Sequence, residues 1–120
     1  MINPKALQGA LVIGTVLQVA MVVAGHFSPF IALHVFMFGG MGISAVAGLI
    51  YGRAAAGYGG AALGGAIAGG GCALIGIALS VLMGDTLAVI LGLGTASSAV
   101  TGGIGGLLGR LILGRATAAA

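Results

Sequence analysis

"ALQGALVIGTVLQVAMVVAG", residues 6–25, runs for twenty residues without a single charge. About 20 mostly apolar residues is the length an α-helix needs to cross the ~30 Å hydrocarbon core of a bilayer. The run is longer than the roughly 7–15 apolar residues of a secretory signal, so it reads as a retained helix. Three further runs follow, at 30–52, 61–83 and 86 to about 113, and none carries an internal charge before Arg110. The composition agrees. Of the 120 residues 60% are hydrophobic and only 4% are charged, whereas soluble domains carry roughly 25% charged residues. So few charges cannot cover a water-facing surface.

In hydrocarbon the backbone must satisfy its own hydrogen bonds, which leaves helices or a closed β-barrel. A barrel would show short alternating segments separated by polar turns, and these runs are long and unbroken. The expectation is an all-α integral membrane protein, one transmembrane domain over 1–120 with four transmembrane helices. Lys5, Arg53, Arg110 and Arg115 then fall on one face of the membrane and Asp85, the only acid, on the other. The positive-inside rule makes both termini cytoplasmic, and the expected location is a bacterial inner membrane. Cys72 is the only cysteine and cannot form an intramolecular disulfide.

Two stretches recur. "ALQGA" at 6–10 returns as "ALGGA" at 62–66, and "ISAVAGLIYGR" at 43–53 returns loosely as "SSAVTGGIGGLLGR" at 97–110. The offset is 56 residues at the first pair and 57 at the closing arginines, and Gly14 also matches Gly70. The pattern suggests two tandem helical hairpins, about 6–53 and 62–110, inserted in the same orientation as a parallel repeat. The competing reading is chance similarity in an Ala/Gly-rich alphabet.

At about 100° per residue, small and polar residues collect on one side of each run. Gln8, Thr15 and Gln18 share a side of the first. His34, Met37, Met41, Ser44 and Gly48 share a side of the second, with Phe36, Ile43 and Ile50 opposite. Gly65, Gly69, Cys72 and Gly76 line up on the third. On the fourth, Thr95, Ser98, Gly102, Gly105 and Gly109 oppose Val100, Ile104 and Leu107, with Thr101 at the edge. Such faces either pack helices closely, as in GxxxG contacts, or line a narrow polar path. Gln18 favours the path, because a mid-span amide without a partner is costly. Ser44 and Ser98 are expected to face the interior from equivalent places.

"HVFMFGGM", residues 34–41, places an imidazole among thioethers. His34, Met37 and His26 form a soft donor set of the kind that suits Cu(I), and His34 could alternatively ligate a pigment. Met41 is about 10 Å of rise from His34, too far for a shared ion. The structural alternative makes His34 a polar pin facing the first helix near residues 22–26.

Paired carboxylates are absent, which sets aside acid/base catalysis of that kind, and "GGAIAGGG" at 64–71 lacks the Lys-Ser/Thr of a phosphate loop. No enzyme and no nucleic-acid partner are expected. The leading functional reading is a channel- or transporter-type protein for a small solute, acting in the bilayer as a homo-oligomer. The alternative is a non-catalytic accessory or scaffolding subunit bound to a membrane-protein partner.

Overall fold

A computed structural model describes residues 2–114, which form helices joined by short turns, with no strand among them. Arg115 lies outside the described residues. Helix α1 spans Pro4–Phe27. A π-helical turn, Ile31–Val35, leads directly into α2, Phe36–Gly52. Helix α3 spans Tyr58–Leu82 and α4 Val89–Gly109, which ends in a second π turn, Arg110–Gly114. Three helical stretches are long and apolar enough to cross a membrane: Pro4–Phe27, Tyr58–Leu82 and Val89–Leu113. The regular part of α2 is shorter, at 17 residues. Its run is helical without a break over 29–52 only when the π turn is included.

Local chemistry sets the ends. The Asn3 side chain accepts from the Ala6 N–H, and Pro4 occupies the first turn of α1, where a missing N–H costs nothing. Ser28 is extended ahead of Pro29 and closes that helix. The end of α3 is a Schellman motif. Gly84 takes φ +80°, its N–H bonds to the Val81 carbonyl, and the Asp85 N–H bonds to the Ser80 carbonyl. This motif and the turn that follows delay the fourth helix from the expected residue 86 to Val89.

The glycine faces make the packing. A Cβ at Gly48 would fall on the Gly102 carbonyl and one at Gly52 on the Gly106 carbonyl, while Gly105 and Gly109 press against Ala45 and Leu49. These contacts climb both helices in step, so α2 and α4 run parallel. Between α3 and α4 the order reverses: Gly69 meets Ser98 and Gly102, Gly65 meets Gly102 and Gly106, and Ala61 meets Gly106. The pair is antiparallel. Helix α1 joins through Gly14, where a Cβ would lie 2.9 Å from Cys72 Sγ and 3.0 Å from Ala47 Cβ.

Helices α2 and α3 form the middle of the bundle. Both α1 and α4 pack against these two and hardly meet each other. Hairpins closed around a two-fold axis would bring α1 to α4 wherever α2 meets α3, so the bundle is rhombic rather than a closed ring of hairpins. Large apolar side chains point outward, among them Val12, Val16, Val46, Val100 and Ile104.

Lys5, Arg53 and Arg110 gather at one end. There the Arg110 guanidinium lies 5.7 Å from the Tyr58 ring centroid and donates to the Ala56 carbonyl at 3.3 Å. Buried Tyr51 ties α1 to α2 at the same end by accepting the Asn3 N–H at 3.0 Å. His26 and Asp85 mark the opposite end.

Gly48→Ala should cost about 1–3 kcal/mol, because two backbones must separate. Gly9→Ala, which meets nothing within 4 Å, should be neutral or stabilising by up to ~1 kcal/mol. Unfolding of both variants in mild detergent checks the contrast; equal stabilities would mean that α2 and α4 do not touch backbone to backbone.

Candidate functional site

The glycine seam between α2 and α4 occupies only half of their length. Towards the Asp85 end the facing residues become Met37 and Met41 on α2 and Ile90, Gly94 and Ser97 on α4. A cavity of about 530 Å³ lies there. This lies within the range of sites for small molecules, roughly 300–1,000 Å³. All four helices contribute, with Gln18 and Met21 from α1 and Ala73 and Ile77 from α3. The lining stops at Gln18 on α1, Met41 on α2 and Ser98 on α4. Beyond those positions the seam closes. Met37, Leu87 and Leu93 are lining residues that are also exposed, and they form the rim.

The floor is polar. Gln18 is 2% exposed, and its Nε2 donates to the Gly40 carbonyl at 3.0 Å and to Ser44 Oγ at 3.3 Å. Ser44 Oγ in turn donates to the Gly69 carbonyl at 3.1 Å. A carbonyl can only accept and the hydroxyl proton is already committed, so the amide orientation is fixed. Gln18 Oε1 is therefore the atom left without a donor among the described residues. Cys72 Sγ also donates to the Gly69 carbonyl, at 3.3 Å, and sits 3.9 Å from Gln18 Nε2. Ser98 is 4% exposed, borders the cavity, and has no hydrogen-bond partner for its hydroxyl among the described residues. Neither free oxygen is sealed from the cavity.

At the mouth, Asp85 Oδ2 lies 2.6 Å from His26 Nδ1. Thr86 Oγ1 pairs with Ser80 Oγ at 2.6 Å, which fixes the turn beside it.

The residues singled out in the sequence divide into three groups. Gln18, Ser44 and Ser98 are buried together around the floor. Thr95, Thr101 and Thr15 lie off the cavity: Thr95 Oγ1 is buried without a partner, Thr101 bonds back to the Ser97 and Ser98 carbonyls, and Thr15 is half-buried on α1. Gln8 is exposed.

His34 departs from expectation. It is exposed rather than turned towards α1, donates from Nδ1 to the Phe30 carbonyl at 3.2 Å, and stacks on the Phe30 ring at 4.9 Å. The π turn underwinds the helix at Ile31–Val35, so the 100° spacing that aligned His34 with Met37 and Met41 does not hold across it. His26 is engaged by Asp85 and His34 by Phe30, Met37 is 68% exposed on the rim, and among the described residues no three His, Cys, Asp or Glu side chains cluster as a metal site. Met21, Phe36, Ile77 and Asp85 belong to the cavity instead. Of these only Asp85, as the chain's single acid, carried a signal in the sequence.

No protein-family model matches the chain, nor does any curated protein or solved structure. The site is therefore read from its geometry alone.

A double-mutant cycle over Gln18→Leu and Ser44→Ala should give a coupling of about 0.6–1.7 kcal/mol, the size of buried interhelical hydrogen bonds in membranes; strict additivity in unfolding experiments would dissolve the floor network. His34→Leu and His34→Gln should both stay within about 0.5 kcal/mol of the parent, and a selective loss in the leucine variant would show an interhelical partner for the imidazole.

Proposed function

We propose that this chain is an integral membrane protein of the channel or transporter type, with four spans, in which the cavity is the entry half of a path for a small solute. One observation carries the reading. The cavity lies in the Asp85 half of the bundle and stops mid-bundle at two buried residues, Gln18 and Ser98, whose Oε1 and Oγ have no hydrogen-bond partner among the described residues. Unmet polar groups of this kind are costly in an apolar interior unless something else satisfies them. Below them, backbone-to-backbone glycine contacts occlude the way to the arginine end. A one-ended cavity with a polar floor and a closed seam is the form of an entry vestibule, not of an open pore.

On this reading the second span is the helical run 29–52, and the basic end, with Lys5, Arg53 and Arg110, faces the cytoplasm. The vestibule then opens away from the cytoplasm, across a membrane of the bacterial inner-membrane kind. The two hairpins, 6–53 and 62–110, are read as products of a duplication. A homo-oligomer fits a chain this small with apolar sides. The accessory-subunit alternative draws on the same seam, since a backbone-packed bundle makes a stiff scaffold.

The topology of access is directly measurable. In a Cys72→Ala background, Ser98→Cys should react with a small membrane-impermeant thiol reagent added from the Asp85 side of oriented vesicles and stay protected from the arginine side. Equal labelling from the arginine side would remove the closed seam. Purified oligomer that moves solutes in liposomes would favour transport, whereas inert protein that copurifies with a fixed partner would favour the subunit reading.

A further inference from the structure

We propose that the cavity takes an organic ammonium ion carried on an apolar body, an inference that rests on reading the cavity as a solute site. The argument is one of complementary deficits. Each polar group that the protein leaves free there is an acceptor or can act as one. Gln18 Oε1 can only accept, and Ser98 Oγ has no partner among the described residues. Asp85 is the one acid in the chain, and it stands at the mouth with Oδ2 bound to His26 and Oδ1 given no donor. What the site lacks is positive charge: among the described residues no lysine or arginine lines it.

A carboxylate would meet the Asp85 carboxylate at the mouth, with no lysine or arginine among the described lining residues to pair with it. A hard inorganic cation wants a shell of about six oxygens, and this wall is mostly apolar. The same wall suits an apolar body. Methionine side chains from α1 and α2 adapt to varied shapes, and Phe36 adds an aromatic ring, a group that attracts cations, to the lining. The ligand would thus lay its apolar part against methionine and Phe36, set its ammonium N–H groups on the oxygens, and enter past the Asp85 carboxylate.

The test uses three probes with one body and different heads: naphthylmethylammonium, naphthylmethanol and naphthoate. Each is titrated by fluorescence into the full chain in nanodiscs of zwitterionic phosphatidylcholine, with empty nanodiscs subtracted. The ammonium should bind at least about tenfold more tightly than the carboxylate, with the alcohol between them. Asp85→Asn should weaken the ammonium about tenfold and leave the alcohol unchanged, and Ser98→Ala should weaken both. Binding without head-group preference, or a preference that Asp85→Asn does not alter, overturns the cation assignment while leaving the cavity as a solute site. Failure of all three probes to saturate a folded protein overturns the solute site itself, and this proposal with it.

Discussion

The bundle depends on contact between helix backbones. Where α4 meets α2 and α3, no side chain separates the peptide groups; Gly48, Gly52, Gly102, Gly105, Gly106 and Gly109 bring one helix directly against carbonyls of the next. In water such a glycine content would weaken each helix by up to about 1 kcal/mol per residue. In hydrocarbon the alternatives are fewer. Exposed apolar side chains gain nothing by clustering, and helices associate through dispersion contacts, interhelical hydrogen bonds and close Cα–H···O approaches. Glycine maximises all of the backbone terms. Gly69 is where three helices meet: a Cβ there would lie 2.7 Å from the Gly102 Cα, 2.8 Å from the Ser98 oxygen and 3.0 Å from the Ser44 oxygen. Three helices are fixed at that one residue.

The cavity adjoins the same contact. It begins where the backbone contacts between α2 and α4 end, and residues of both helices line it from there towards the Asp85 end. Gln18 sits at the change-over. Its amide bridges α1 to α2, and the Ser44 hydroxyl passes the link to the Gly69 carbonyl on α3. The polar network therefore closes on the residue that the glycine packing already holds, which makes Gly69 both a steric and a hydrogen-bonding node. A buried amide that is only partly satisfied is a poor structural element taken alone. Its remaining oxygen is better understood as part of the cavity surface than as part of the core.

Much of this was legible in the residues. The long uncharged runs gave the helices, and the 3.6-residue period placed Ser44, Ser98 and Gln18 inward and Val46 and Val100 outward, as the exposures bear out. Other features were not legible, for reasons that can be named. A π turn has no reliable composition signal, so a continuous α-helical register carried His34 to the wrong side. Glycine periodicity marks a packing face but not how far along it the contact persists, so the place where the α2–α4 contact gives way to the cavity was invisible. Asp85 entered the sequence reading only as the chain's single acid, a marker of topology; its place at a cavity mouth depends on Gly84 and the Schellman motif, which direct the chain back towards His26. The rhombic layout likewise depends on how deeply α4 settles between α2 and α3.

Ser98 and Gly102 lie one helical turn apart on α4, and that turn joins the proposed site to the proposed closure. The Ser98 hydroxyl borders the cavity while its carbonyl takes part in the Gly69 contact and accepts from Thr101 at 3.0 Å. Gly102 then begins the run of contacts with Gly48, Gly65 and Gly69. A solute seated on Ser98 would press on the segment that holds the seam shut, with no intervening element to absorb a displacement. Packed backbones respond to such a load by discrete shifts of one helix against another rather than by gradual deformation. Site and seam so closely joined would let occupancy of the vestibule bear directly on the contact that closes it.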